Sequence, residues 1–295
     1  LMKTVPVNLG ARSYTIYIGE GLLGKTGELL KFSGCGKTVL LVSNSQVFQL
    51  YGGIVQASLE SCGFEVVPGI TGTGEEHKNL ATAEKLYDLA YTAGLDRRCA
   101  ILALGGGVVG DVAGFVAATY LRGVPLIQLP TTLLAQVDSS VGGKVAVNHP
   151  RGKNIIGAFY QPKFVLADTS VLQTLPPREI RSGLAEVIKY GIIRGPVFFT
   201  WLEENLSGLL SGKPEFLSEA VQNSCRIKAG VVEKDETDQG LRAILNFGHT
   251  LGHAVESLTG YGVFNHGEAV GMGMVAAAQL AVALGLLPEK EAERI

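Results

Sequence analysis

The sequence predicts an α/β amino-terminal domain with a Rossmann-like parallel sheet, followed by a mainly α-helical carboxy-terminal domain. Up to about residue 176, short β-branched apolar runs alternate with helix-compatible segments, which is the pattern of a parallel sheet. No convincing strand follows the segment Leu175-Pro-Pro177. Because prolines interrupt regular secondary structure, we place the domain boundary between residues 1–176 and residues 177–295.

The first domain is expected to contain several β-α-β units. Each strand is a short apolar run that ends in polar or glycine residues, and each helix has apolar residues at helical spacing. The expected strands are residues 38–43, 64–67, 99–104 and 125–129, and the expected helices are a segment ending at Glu60, residues 80–93 and residues 112–121.

A glycine turn lies between a predicted strand and a predicted helix. It has the spacing Gly105-x-Gly107-x-x-Gly110. This order places a pyrophosphate on backbone N–H groups at a helix N-terminus, so it favours a dinucleotide site; the alternative is a tight turn without a ligand. No Asp or Glu follows about twenty residues later to bind the ribose. Glu75, Glu76 and Lys78 are candidates for that contact, unless they form only a solvated loop.

Cationic side chains lie among further glycines. They occur in Asp138-Ser-Ser-Val-Gly-Gly-Lys144 and in Arg151-Gly-Lys-Asn154. A flexible backbone with Lys and Arg suits an anionic ligand, and a surface loop with ordinary lysines is the competing interpretation.

The helix predicted over residues 177–193 brings Glu186, Lys189 and Tyr190 to one face. An exposed i,i+3 ion pair and a buried functional pair both remain open. Further on, Arg242 and Asn246 precede His249 by seven and three residues, which predicts that the three share one helical face.

Histidines are concentrated near the carboxyl end. His249 and His253 are four residues apart and share a helical face, and His266 follows. Neutral imidazoles are common ligands of zinc-like metals, so the spacing favours His249 and His253 as ligands. The alternative is that these histidines cap, pair or pack. The uncharged run of residues 269–287 is predicted to be a helix buried within a domain and not a membrane span.

The composition of the chain argues against several classes of protein. The chain has 295 residues, 46% of them hydrophobic and 18% charged, with a net charge of −2 and a pI near 6.3. We therefore expect no general attraction to nucleic acid or to a membrane. The four cysteines form no C-x-x-C, which indicates reduced thiols, and no secretory signal is recognisable, so we expect a cytoplasmic protein.

Five motifs follow one another along the chain: Gly105-Gly-Gly-Val-Val-Gly-Asp111, Leu129-Pro-Thr-Thr132, Asp138-Ser-Ser-Val-Gly-Gly-Lys144, Ser182-Gly-Leu-Ala-Glu-Val-Ile-Lys189 and Asn246-Phe-Gly-His-Thr-Leu-Gly-His253. In this order they closely resemble the 3-dehydroquinate synthase family of sugar phosphate cyclases, and the resemblance spans roughly residues 70–270.

The resemblance implies a carbon–oxygen lyase that depends on NAD and on a divalent metal, Zn²⁺ or Co²⁺. Its reaction converts 3-deoxy-D-arabino-heptulosonate 7-phosphate to 3-dehydroquinate and phosphate, in the shikimate pathway of aromatic amino acid biosynthesis. The steps are transient oxidation at C5, β-elimination of phosphate, re-reduction, ring opening and aldol closure. The family also implies a homodimer with a small sugar-acid phosphate as its substrate.

The family pattern also assigns roles to residues of this sequence. It implies metal ligation by Glu186, His249 and His266, and it moves His253 to the substrate side. For the substrate phosphate it implies binding by Lys144, Asn154 and Arg122, with Arg122 reaching across the dimer interface. For the substrate carboxylate it implies binding by Lys228 and Arg242. For the hydroxyls it implies contacts or proton relay by Lys189, Asp138, Asn246 and His253. For NAD it implies Thr73, Gly74, Glu75, Glu76, His77, Lys78, Gly107, Val108, Val109, Gly110, Asp111, Thr131, Thr132, Lys144, Lys153, Val171, Leu172, Gln173 and Thr174.

The sequence departs from the family pattern at two points. Thr73 stands where many members have Asp, and the chain ends at Ile295, where members continue with further helices, so we expect the second domain to be truncated. The alternatives to this function are another sugar phosphate cyclase, a metal- and NAD-dependent polyol dehydrogenase, and a non-catalytic NAD-binding remnant.

Overall fold

The computed structural model describes residues 2–260 and 263–295. All of the strands in this part of the chain precede residue 170: β1 Lys3–Val7, β2 Tyr14–Gly19, β3 Thr38–Asn44, β4 Glu65–Thr71, β5 Ala100–Gly105, β6 Leu126–Pro130, β7 Lys144–His149, β8 Gly152–Phe159 and β9 Phe164–Asp168. The α-helices are α1 Thr26–Lys31, α2 Ser45–Val47, α3 Gly53–Ser61, α4 Leu80–Thr92, α5 Gly107–Thr119, α6 Pro177–Arg194, α7 Pro196–Leu210, α8 Pro214–Val232, α9 His249–Thr259, α10 His266–Ala283 and α11 Glu289–Ala292.

Seven strands form one sheet in the order β1-β2-β9-β6-β5-β3-β4. Every neighbouring pair is parallel except β1 with β2. Gly105 pairs with Pro130 at the carboxyl ends of β5 and β6, so the glycine turn and the Pro-Thr-Thr segment meet at one edge. The predicted fold class, a parallel α/β sheet followed by helices, is confirmed.

The sheet is covered on both faces. Along β5, Ala100, Leu102 and Leu104 belong to one core cluster, and Ile101 and Ala103 belong to the other. This alternation follows from the two-residue period of a strand. The first core also contains apolar residues of α6, α7 and α8, so the second half of the chain packs directly against one face of the sheet.

Glycines let the helices of the second half approach closely. A Cβ on Gly267 would lie 2.0 Å from the carbonyl oxygen of Ser182, and one on Gly273 would lie 2.0 Å from the carbonyl oxygen of Gly248. Only glycine leaves room for these contacts. As a result, α10 packs against both α6 and α9 and brings its first residue, His266, to the middle of α6.

Several expected elements differ from the structure. The strands β1, β2, β7, β8 and β9 were not predicted, and the glycine turn follows the fifth strand of the chain, not the third. The glycine-rich stretch from Asp138 was expected to be flexible, but a π-helical turn, Ala135–Ser139, is followed by the β7–β8 hairpin. Backbone pairing therefore orders a stretch whose composition indicated a loop.

Two predictions about helices were wrong. Arg242, Asn246 and His249 do not share one helix, because the 3-10 helix Leu241–Asn246 ends there and Gly248, with a φ of 80°, separates it from α9. The run 269–287 is not wholly buried: Val275 and Leu280 of α10 are 48% and 58% exposed. Among the described residues, no helix has the length and apolar character needed to cross a membrane.

Candidate active site

Helix α6 contributes three buried polar side chains to the site. Glu186, Lys189 and Tyr190 are at most 1% exposed, which excludes the alternative of an exposed ion pair. Their spacing of three and four residues places them on one face of the helix. Lys189 is in ion-pair contact with Glu186.

Glu186 and two histidines form a cluster of possible metal ligands. The Nε2 atoms of His249 and His266 lie 3.4 Å and 3.5 Å from Oε1 of Glu186. Bonds of about 2.0–2.2 Å to a tetrahedral ion would separate its ligand atoms by roughly 3.3–3.6 Å. Oε2 of Glu186 contacts Lys189, whereas Oε1, which faces both histidines, accepts no hydrogen bond in the described part of the chain. These residues fit a zinc-like ion.

The charges around Glu186 oppose the effect of burial on its pKa. Burial alone would raise its pKa, but His266 and Lys189 hold the pKa below the ordinary value. For His266, burial would lower the pKa, while Glu186 and Glu256 raise it to about 9. Burial lowers the pKa of His249 despite the nearby Glu186. The cluster therefore favours an ionised carboxylate.

His253 lies beside this cluster. It is exposed, and its ring centroid is 5.5 Å from that of His249 and 6.0 Å from that of His266. The ligand group around Glu186 contains His249 and His266, whereas His253 falls in a second group with Glu256 and His266. The spacing argument for His249 with His253 thus identified neighbouring rings but not the pair that faces Glu186.

A second buried network lies next to the first. Nζ of Lys228, on α8, donates to Oδ1 and to the backbone carbonyl of Asp138, at 2.7 Å each. The hydroxyl of Tyr190 donates to the same Oδ1 at 2.6 Å. Burial alone would raise the pKa of Asp138, but Lys228 and Lys189 hold it well below its usual range.

Arg242 is 2% exposed, and its guanidinium donates to two backbone carbonyls, those of Glu236 and Gly142. Asp238 does not pair with Arg242; its carboxylate contacts Nζ of Lys144 at 2.5 Å. Of the acidic residues that precede Arg242, Asp238 contacts Lys144, Asp235 accepts from backbone N–H groups, and Glu236 pairs with Arg12.

The predicted phosphate ligands lie in two parts of the fold, the β7–β8 hairpin and the turn that follows α5. In the β7–β8 hairpin Lys144 pairs with Phe159, while Asn154 lies near the turn with a φ of 57°. At about 3.3 Å per residue, their Cα atoms are separated by roughly 15 Å. Arg122 is exposed, and Asn246 is exposed at the end of its 3-10 helix. The shared phosphate site remains a prediction.

The order of strand, glycine turn and helix is as predicted, but α5 begins at Gly107, five residues before the predicted start at residue 112. Gly106 is the residue before the helix, and Gly107, Val108 and Val109 form its first turn, where N–H groups lack helical partners. The buried hydroxyl of Thr131 has no hydrogen-bond partner within residues 2–260 and 263–295. Both features suit a bound phosphate-containing ligand. Gly110, by contrast, packs closely against the protein, because a Cβ there would lie 2.9 Å from Oε1 of Gln128.

The loop of Thr73 to Lys78 reaches the same helix. Buried Lys78 contacts Asp111 of α5 at 2.5 Å, and burial raises the pKa of Asp111 to about 6 although Lys78 acts to lower it. Thr73, Gly74, Glu75 and Glu76 are exposed, and His77 is half-buried. Glu75 accepts from Asn148 of β7 at 2.7 Å, so the loop is also tied to the hairpin.

The remaining residues of the predicted NAD site are divided between core and surface. Val171 and Leu172 are buried in the first core, whereas Gln173 and Thr174 are exposed and Thr132 caps the following turn through Ala135. Lys153 is exposed and acts electrostatically on Glu256.

Sequence reasoning did not single out Glu256 as a site residue, although it follows His249 by two helical turns.

Sequence models of the family match adjoining parts of the chain. The model described as 3-dehydroquinate synthase N-terminal matches residues 69–182, and the one described as 3-dehydroquinate synthase C-terminal matches residues 183–295. A 3-dehydroquinate synthase of Pelotomaculum thermopropionicum is 66% identical over 294 residues, covering 100% of this chain and 79% of the relative. The chain belongs to the 3-dehydroquinate synthase family.

Solved structures of sugar phosphate cyclases share the fold. A 2-deoxy-scyllo-inosose synthase complexed with carbaglucose-6-phosphate, NAD⁺ and Co²⁺ is 31% identical, with a TM-score of 0.89 over 99% of this chain and 78% of that one. The 2-epi-5-epi-valiolone synthase of Streptomyces hygroscopicus subsp. jinggangensis 5008, with NAD⁺ and Zn²⁺ bound, is 28% identical, with a TM-score of 0.87 over 95% and 78% of the two chains. The family fold thus extends over nearly all of this chain.

Proposed function

We propose that this chain catalyses the 3-dehydroquinate synthase reaction, which converts 3-deoxy-D-arabino-heptulosonate 7-phosphate to 3-dehydroquinate and phosphate. The observation that carries the proposal is the cluster in which the Nε2 atoms of His249 and His266 face the buried carboxylate of Glu186. The 66% identity to a 3-dehydroquinate synthase over the full chain supports the same activity.

The site has residues suited to two cofactors. Glu186, His249 and His266 would hold Zn²⁺ or Co²⁺, and the first turn of α5 with Thr131 would contact the phosphates of NAD. When bound, the metal supplies a Lewis acid at the substrate hydroxyls, and NAD supplies the transient oxidation at C5. The solved cyclases with NAD⁺ and with Co²⁺ or Zn²⁺ support this assignment.

The chain's own side chains would bind and orient the substrate. Lys228 and Arg242 are proposed to meet its carboxylate, because both are buried cations that interact with Asp138. Lys189, Asp138, Asn246 and His253 would contact its hydroxyls and move protons. The buried ion pairs of Lys189 with Glu186 and of Lys228 with Asp138 hold these side chains in place.

Lys144, Asn154 and Arg122 are proposed to bind the substrate phosphate, and Arg122 would come from the second subunit of a homodimer. Arg122 is exposed, and both it and Leu121 have a positive φ, of 68° and 49°. Such a backbone is costly for non-glycine residues and is retained where it serves a site. Within the described residues, Arg122 forms no hydrogen bond or ion pair.

Mixed dimers test this assignment of Arg122. Arg122→Ala and Lys228→Met would each be inactive alone, but a heterodimer has one site that combines an intact Lys228 with an intact Arg122 from its neighbour. Recovery of activity on mixing supports the homodimer. Verified heterodimers without recovered activity would contradict it.

We also propose that the domain boundary lies between residues 176 and 177. Helix α6 begins at Pro177, and a proline in the first turn is compatible with a helix start. The helices that follow hold Glu186, Lys228, His249 and His266, while the glycine turn belongs to the sheet that precedes the boundary.

The test of function supplies the heptulosonate phosphate with catalytic NAD and a divalent metal, and follows phosphate and NADH together. We expect phosphate release without accumulation of NADH. Stoichiometric NADH would indicate a polyol dehydrogenase instead. A parallel assay with glucose 6-phosphate distinguishes another sugar phosphate cyclase, because that substrate lacks the carboxylate proposed to meet Lys228 and Arg242.

A further inference from the structure

The imidazole of His266 lies between two carboxylates from different helices. Its Nε2 atom is 3.5 Å from Oε1 of Glu186 on α6, and its Nδ1 atom is 3.5 Å from Oε2 of Glu256 on α9. The side chain of Glu256 is 12% exposed. A shift of a few tenths of an ångström would bring either contact into hydrogen-bond range.

His249 has the same arrangement on the other side of the cluster. Its Nε2 atom faces Glu186, and its Nδ1 atom lies 3.3 Å from the backbone carbonyl of Phe247. Each imidazole therefore turns Nε2 inwards and Nδ1 towards an oxygen acceptor. A neutral imidazole has a single N–H, so an acceptor at Nδ1 selects the tautomer whose bare Nε2 points at Glu186.

We propose that Glu256 is a positioning residue for the metal centre, which receives the Nδ1–H of His266 and holds its Nε2 lone pair towards Glu186. The inference rests on the proposed function, because it requires a metal ion at Glu186. Glu256 follows His249 by seven residues, two turns of α9, so both side chains are on the face that meets α10. A carboxylate at this point also increases the basicity of the imidazole as a ligand.

Glu256 has two other neighbours that could account for its placement. His253 belongs with Glu256 and His266 to one group whose ligand atoms lie within 4.8 Å of one another, and Lys153 lowers the pKa of Glu256 electrostatically. Neither neighbour belongs to the ligand group around Glu186. If Glu256 served only these two residues, its removal would leave the affinity for metal unchanged.

The experiment measures Zn²⁺ affinity by chelator competition in metal-free protein for the wild type, Glu256→Ala and Glu256→Gln. We expect Glu256→Ala to weaken Zn²⁺ binding about 10–100-fold, the range found when such outer partners of ligating histidines are removed. Glu256→Gln should lose less, because its amide oxygen still accepts from Nδ1–H. The control Glu203→Ala removes a carboxylate of α7 that pairs with Arg294, and it should retain wild-type affinity.

The outcomes separate this inference from the proposed function. Wild-type Zn²⁺ affinity in folded Glu256→Ala would overturn the role of Glu256 and leave the metal site standing. A wild-type protein that binds no Zn²⁺ would overturn both. If Glu256→Ala fails to fold by circular dichroism, Glu256→Leu decides, because it keeps most of the side-chain bulk but offers no acceptor to Nδ1–H: weaker Zn²⁺ binding supports the role, and unchanged binding overturns it.

Discussion

The hydroxyl of Tyr190 lies 2.6 Å from Oδ1 of Asp138, the same oxygen that accepts from Lys228. Tyr190 is fully buried, and this bond joins α6 to the segment that follows β6. The phenol thus contacts a carboxylate that the fold keeps ionised, and it links the two halves of the proposed site.

We predict that Tyr190→Phe lowers the free energy of unfolding by about 1.5–3 kcal/mol, because a hydrogen bond to a charged group is lost in the interior. Tyr160→Phe is the matched control: it removes the same atom, but the Tyr160 hydroxyl donates to the neutral carbonyl of Val124, at 2.7 Å. Its expected cost is about 0.5–1.5 kcal/mol. Denaturant unfolding measures both, and equal costs would show that the charge of Asp138 is unimportant.

The two neighbouring histidines should differ in their effect on metal binding. His266→Ala removes an imidazole that faces Glu186 and should abolish tight binding, whereas His253→Ala should retain the metal and impair turnover. Metal content of the two purified variants checks this. Equal loss in both would mean that the ligands are assigned wrongly.

Gly107→Ala should weaken NAD binding by more than about 1.4 kcal/mol, a factor of ten, because a methyl group would stand where the pyrophosphate approaches the backbone. Its Cβ would also lie 3.1 Å from Oγ of Ser139. Calorimetric titration with NAD measures the affinity. A double variant with Ser139→Ala is the control, because affinity regained in it would attribute the loss to crowding within the protein.

The ion pair of Lys3 with Glu219, at 2.8 Å, should make stability depend on pH. The hydrogen bond from Lys3 lowers the pKa of Glu219 below its ordinary value of 4.5. The native state therefore binds fewer protons than the unfolded chain in the window below about pH 4.5. The contribution is present above that pH and is lost as the pH falls through the native pKa.

Glu219→Gln should consequently lower the free energy of unfolding by about 0.2–1 kcal/mol at pH 7, since the pair is partly exposed and screened. The difference from the wild type should shrink as the pH falls below 4.5. Unfolding curves between pH 3 and pH 7 measure it, with the exposed Glu204→Gln as control. A difference that is independent of pH would exclude the ion pair as its cause.

The pattern of residues alone determined the central strands of the α/β half. Strands β3, β5 and β6 and helix α4 lie within one or two residues of their predicted bounds, because apolar runs between polar turns are local signals. The hairpin β7–β8 carried no such signal: its second strand is mostly exposed and contains Gly152 and Gly157. Its order depends on pairing with the neighbouring strand and on Asn148, which donates to the carbonyl of Lys78.

The residues of the metal cluster could not all be predicted from spacing within one helix. Helical spacing relates His249 only to residues of its own helix, and so it pointed to His253. The residue that faces Glu186 beside His249 is His266, which begins a different helix. The family motifs supplied that residue as an expectation. The tertiary structure decided the contact, because Gly267 and Gly273 let α10 approach α6 and α9 more closely than any side chain would allow.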